Sequence, residues 1–153
     1  MAGQVHEGQL ERVFETWSAW RRLGCPCKHD GPAVYQVRLC NSNGRRPIPR
    51  FLGVDVGGLL CIGMTKNMKA RHRDFLQGLT RGRGHSEANL LHRLERRGPL
   101  TKLKSRRYEY RFRVVKDREA AMALEEGLIK LYVQRFGEAP PLNSAIPNRY
   151  GEP

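Results

Sequence analysis

The sequence predicts an α/β domain, a small mixed three-stranded β-sheet flanked by helices, with an N-terminal helical extension. Three observations point there. "AVYQVRLC" (33–40) and "RYEYRFRVV" (107–115) have strand composition, and the second alternates strictly between apolar and polar residues. Elsewhere, apolar residues recur at three- and four-residue spacings behind Asn67, Ser86 and Asp117, residue types that start helices. The break "GCPCKHDGP" (24–32) sets a boundary near residue 30, dividing the chain into an extension, 1–30, and a main domain, 31–153.

In chain order, Leu10, Val13, Phe14, Trp17, Trp20 and Leu23 form one apolar stripe, predicting a helix over 8–23. A lone helix of that length is marginal in water, so the stripe is expected to dock on the domain that follows. The first strand, 33–40, leads into "NSNGRRPIPR" (41–50), read as a basic loop. Strand character resumes in "FLGVDVGGLLCIG" (51–63), with Gly57-Gly58 as a turn or bulge. Asn67 then caps a helix with Met68, His72, Phe75, Leu76 and Leu79 on one face. After the loop "TRGRGH", Ser86 caps a second helix with Leu90, Leu91 and Leu94 inward, ending at Gly98-Pro99. The next strand puts Tyr108, Tyr110, Phe112 and Val114 on one face and Glu109, Arg111 and Arg113 on the other. Asp117 caps the last helix, with Leu124, Leu128, Leu131 and Tyr132 inward, and a proline-rich tail closes the chain.

Composition narrows function. Lys and Arg number 28 against 15 Asp and Glu, a net charge of +13 on 153 residues, which points to a polyanionic partner and to nucleic acid first. No run is long and apolar enough for a membrane span, and the opening residues lack the basic-then-apolar pattern of a secretion signal. With four cysteines and no such signal, the expectation is a reducing, cytoplasmic setting with free thiols. "CPCKH" (25–29) spaces its cysteines by a single residue and shows no fourth ligand, so it reads as thiols rather than a zinc site.

Separated segments together resemble the GIY-YIG nuclease family. They are "GPAVYQV" (31–37), "CIGMTKNMKAR" (61–71), "GHSEANLLHRLERRG" (84–98) and "ALEEGLI" (123–129) followed by "PPLN" (140–143). They occur in the family's order and span residues 31 to about 147. By motif position the resemblance assigns Tyr35 as general base, Arg71 to the phosphate and His85 to the opening of the next helix. It assigns Glu125 to the metal, Cys61 and Gly63 to the second-strand motif, and Asn143 to a supporting place near the end. It implies DNA phosphodiester hydrolysis with Mg²⁺ or Mn²⁺, in repair, restriction or a mobile element, and leaves room for a dimer or a specificity subunit.

The chemistry suits these residue types. Phosphodiester hydrolysis needs a deprotonated water, neutralised phosphate charge and help for the leaving oxygen. A glutamate holds a hard cation, and an arginine fork matches phosphate oxygens. Tyr35 is expected to serve as base if Arg71 and the metal lower its pKa, with His85 bonding it or sharing the proton.

Two positions depart from the family pattern: Cys61 stands where a second tyrosine is usual, and Phe75 where a histidine is common. His72, on the apolar stripe, reads as a structural histidine that supports the site, and Glu126 as solvated. Arg45, Arg46, Lys66, Lys69, Arg81 and Arg83 are the candidate backbone-phosphate contacts. A catalytically impaired nucleic-acid-binding module of the same fold and an RNA-processing nuclease stay open as alternatives.

Overall fold

The computed structural model describes residues 17–98, 100 and 106–143. Its axis is β2 (Ala33–Asn41), whose β-branched and aromatic residues are almost all buried. β7 (Arg107–Val114) lies along one edge, in register from Ala33↔Val114 to Cys40↔Arg107. β6 (Leu59–Thr65) lies along the other, from Ala33↔Thr65 to Arg38↔Leu59, and β3 (Gly44–Arg45) continues that side at Cys40 and Asn41. β1 (Arg21–Arg22) pairs the outer side of β7, and β4 (Ile48–Arg50) with β5 (Gly53–Asp55) makes a separate hairpin.

Every pairing among the described residues is antiparallel, so the α/β class holds while the expected mixed sheet becomes an antiparallel one. The reason lies in the connections. Short turns join β2 to β3 and β4 to β5, and no helical crossover delivers a strand parallel to its neighbour. The segment 41–50, expected as loop, carries β3 and β4. The β2–β6 register shifts after Val37, and the extra residue, Leu60, joins Cys61 in the cluster on Tyr35's face. Gly58 is required where this happens. Its φ of +68° and the carbonyls of Arg46 and Leu39, 2.5 and 2.7 Å from where a Cβ would stand, exclude a side chain.

Helices cover both faces. Tyr35, Val37 and Cys61 face α1 (Met68–Arg81) and α2 (Ser86–Arg96), packing with Met68, Phe75, Ala88 and Leu91. Val34 and Ile62 face α3 (Arg118–Phe136), packing with Ala121 and Ile129. Asn67 and Asp117 cap as expected, their carboxamide and carboxylate oxygens accepting from Ala70 N (2.9 Å) and Ala120 N (2.8 Å). The cap of α2 is His85 rather than Ser86, whose hydroxyl turns to Glu87 instead.

Residues 17–23, expected as the end of a helix, are not helical. Residues 17–20 have no regular structure and Arg21–Arg22 extend along β7. The edge of β7 supplies the cause: Ser18 N donates to Phe112 O (2.9 Å) and Leu23 N to Tyr108 O (3.0 Å), bonds a helix would use internally. Leu23 enters the core, so this segment docks on the sheet as the stripe implied, by strand pairing. Residues 8–16 of the expected helix lie outside the described residues. Among the described residues no helix is long and apolar enough to cross a membrane.

Asp55 ties the hairpin to the rest. Its buried carboxylate accepts from Gly57 N (2.8 Å), Leu59 N (3.1 Å) and the Tyr132 hydroxyl (2.9 Å). Asp55→Ala leaves these donors unmatched in a buried place, a loss of about 2–4 kcal/mol. Equilibrium urea denaturation should show the midpoint falling by about 1–2 M with little change of slope.

Candidate active site

The site begins with a missing side chain. Tyr35 and Gly63 face each other across β2 and β6. A Cβ on Gly63 would stand 2.3 Å from both Cζ and Oη of Tyr35, so the phenol ring lies flat across the glycine and only hydrogen fits beneath it. On the far side of β6, Asn143 bonds the backbone of Ile62 twice, accepting from its N–H (3.0 Å) and donating to its carbonyl (2.9 Å). Leu142 N donates to Leu60 O (2.9 Å) in the same way. Asn143 therefore braces the strand one residue from Gly63, where an unpaired edge would otherwise let it shift.

The Tyr35 hydroxyl meets His85 Nε2 at 3.1 Å. At the other end of the ring, Nδ1 lies 3.0 Å from Glu87 Oε2 and 3.5 Å from Ala88 N. The shorter, charge-assisted contact fixes the tautomer: Nδ1–H donates to Glu87, and Nε2 accepts the tyrosine proton. Burial raises the Glu87 pKa, but the hydrogen bonds from His85 and Ser86 outweigh it and hold the carboxyl at about 2. Glu87 is the residue the sequence reading missed. Its signal was a carboxylate two places after the histidine in "GHSEA".

Burial pushes the Tyr35 phenol well above its usual pKa, and the Cys61 and Glu87 charges add to this while Arg71 opposes it. Arg71 alone does not lower the pKa of the phenol, because desolvation of the phenolate exceeds one arginine's attraction. Arg71 shares a small cavity with Tyr35, Met68, His72 and Phe75, and Glu125 reaches from α3 closely enough for its charge to act on the Tyr35 phenol. His85, Arg71 and Glu125 thus each act on the Tyr35 phenol from a different part of the chain.

The remaining candidates divide. Cys61 is 1% exposed, and burial raises its pKa well above the usual thiol range. Phe75 packs edge-on to His85 with ring centroids 4.8 Å apart. His72 is structural. Its Nε2–H donates to Leu23 O at 2.6 Å, its ring lies over Tyr110, and burial lowers its pKa. Glu126, expected in solvent, is 2% exposed and pairs with Lys130 at 3.0 Å. Lys66 and Lys69 flank the start of α1, and Arg81 and Arg83 lead toward His85, all exposed. Arg46 N is bonded to Leu39 O, whereas Arg45 lines a groove with Gln36 and Arg38, on the opposite sheet face from Tyr35.

Among the described residues no three His, Cys, Asp or Glu side chains group as a metal cage. Glu125 offers carboxylate oxygen near the phenol, a donor set that fits a hard cation such as Mg²⁺, which takes one or two carboxylates and keeps its waters. No protein-family model, curated protein or solved structure matches the chain.

Two measurements test this geometry. Gly63→Ala should destabilise the protein by about 1–3 kcal/mol through overpacking. The Tyr35→Ala/Gly63→Ala pair should then cost less than the sum of the single changes in a urea double-mutant cycle. For Glu87, a folded pKa below the ordinary 4.5 means its contribution is present above that value and lost as pH falls toward 2. The stability gap between the parent and Glu87→Gln should therefore shrink between about pH 5 and pH 2.

Proposed function

We propose that this chain is a GIY-YIG-type endonuclease that hydrolyses DNA phosphodiester bonds with Mg²⁺ or Mn²⁺. The observation that carries the proposal is the chain Tyr35–His85–Glu87, with Arg71 and Glu125 in electrostatic reach of the phenol. A buried tyrosine with a raised pKa does not lose its proton to solvent, so a base chemistry needs an acceptor already in contact. His85 Nε2 is that acceptor, and Glu87 stabilises the imidazolium that forms. The tyrosinate takes the proton of the attacking water, and the Arg71 fork balances charge growing on the phosphate oxygens. Glu125 would hold the cation, which when bound supplies Lewis-acid neutralisation of the phosphate.

A second reading has an observation behind it. Cys61 is sealed in the core and offers no phenol to a water, and Phe75 offers no imidazole. Both fit a module that binds nucleic acid without cutting it. A phenol restored at Cys61 would overpack that site, so Glu125→Ala and Tyr35→Phe are the better discriminators.

Purified protein is expected to cut or nick plasmid, branched or single-stranded DNA with Mg²⁺ or Mn²⁺. Both variants should lose at least about 100-fold in rate while circular dichroism and binding stay unchanged. If the parent leaves all three DNAs intact with either metal yet binds them tightly, the binding-module reading replaces this one. Matched DNA and RNA strands of one sequence decide between the two sugars.

A further inference from the structure

A cavity larger than the one beside Tyr35 lies on the other face of the sheet. It is a groove of about 730 Å³ between the sheet and the C-terminal half of α3. Arg38, Arg45, Arg111 and Arg135 line it. Among the described residues Asp55 is the one acidic side chain in its wall, and that carboxylate is occupied by Gly57, Leu59 and Tyr132. Leu128, Leu131 and Phe136 give the groove an apolar side.

Two of the arginines are held in place before any ligand arrives. The Arg111 guanidinium stands 4.6 Å from both the Trp17 and the Trp20 ring centroids, and Arg38 stands 4.2 Å from Trp20. Gln36 Oε1 accepts from Arg111 Nε at 2.8 Å, and Glu109 accepts from Arg38 Nη2 at 2.6 Å. Stacking fixes the planes of both guanidiniums. Burial, and then repulsion from Arg38, lower the Arg111 pKa to about 10, so it keeps its charge at neutral pH.

We propose that this groove binds a single-stranded segment of nucleic acid, with phosphates on the arginines and base faces against Trp20 and the apolar wall of α3. The choice of polymer rests on the nucleic-acid reading above; the groove and its charge do not. A polymer alternating anionic groups with flat apolar faces matches a cavity that alternates cations with apolar surface. An acidic peptide would satisfy only the arginines. A duplex keeps its base faces stacked inside and offers the apolar wall nothing. The volume suits one or two nucleotides, and the net charge of +13 draws the strand in.

Fluorescein-labelled dT10, titrated in EDTA and followed by anisotropy, tests this on the whole chain without cleavage. Arg45→Ala/Arg135→Ala should weaken binding about tenfold or more and reduce the slope of log affinity against log salt by about 1.4, two phosphates' worth for a single strand. Tryptophan emission should be quenched on titration with unlabelled dT10, and Trp20→Phe should remove most of the quench. Tyr35→Phe should bind dT10 like the parent. Equal binding by the double arginine variant, or a quench that persists in Trp20→Phe, overturns the proposal. So does dTMP that competes as well as dT10 at equal nucleotide concentration, since the site would then be a mononucleotide pocket. If the parent cuts DNA but the arginine variant binds dT10 normally, the groove inference alone fails. If the parent cuts nothing while the variant loses dT10, the nuclease reading alone fails.

Discussion

The candidate site depends on a phenol ring resting on a strand that has no side chain to hold it off. Because Tyr35 crosses Gly63 at Cβ-excluding distance, the β2–β6 register cannot slip by a residue without driving the ring into Ile62 or Met64. The rest of the local structure serves that register. The shift after Val37 puts Leu60 and Cys61 into the same cluster, and Asn143 holds the backbone of Ile62 from the open side. Only with the strand fixed does the hydroxyl arrive at His85.

That arrival creates an electrostatic problem and its solution together. Burial that positions the phenol also makes its anion costly, which is why its pKa rises despite Arg71. The partner His85 is buried too, at 2% exposure, with Phe75 packed on its ring. Glu87 is what makes an imidazolium tolerable there, and its own ionisation is secured by two donors to one oxygen. The three side chains run from the buried phenol toward solvent, where the Glu87 side chain is 20% exposed. In the proposed reaction Arg71 then acts on the phosphate and not chiefly on the base.

Much of this was legible in the sequence, and the failures have physical causes. β2 showed by its β-branched and aromatic composition, β7 because a half-buried strand must alternate, and α1 and α3 because Asn67 and Asp117 cap them with their own side chains. Tyr35 and His85 were visible as types at motif positions, and their contact, which joins residues 50 apart in the chain, was expected from the resemblance. Glu87 went unread because a carboxylate in the first turn of a helix has an ordinary local explanation, the helix dipole. The stripe at Trp17 and Trp20 misled for a better reason. Helical spacing also suits an extended segment whose tryptophans stack on arginines, and periodicity does not know that the edge of β7 is vacant. Glu126 was misplaced because a helix flank was taken for solvent, while Lys130 one turn on lets its carboxylate stay inside.

The period-two geometry of β2 links the two halves of the molecule. Tyr35 and Val37 point toward α1 and α2, and Gln36 and Arg38 point toward the groove beside α3. A strand that puts its reactive phenol on one face must put the next residue on the other. Here those intervening residues are polar, and their partners on β7, Arg111 and Glu109, are polar as well. An apolar sheet face under α3 would have been the simpler way to build a core, and Val34 and Ile62 do build one near Ala121 and Ile129. Farther along the strand the same face changes to arginines stacked on tryptophans, which stability alone does not require: desolvation lowers the Arg111 pKa and Arg38 repels it. The sheet therefore divides by residue parity, with the hydrogen-bonded phenol and imidazole on one side and a cationic surface on the other, and β2 is common to both.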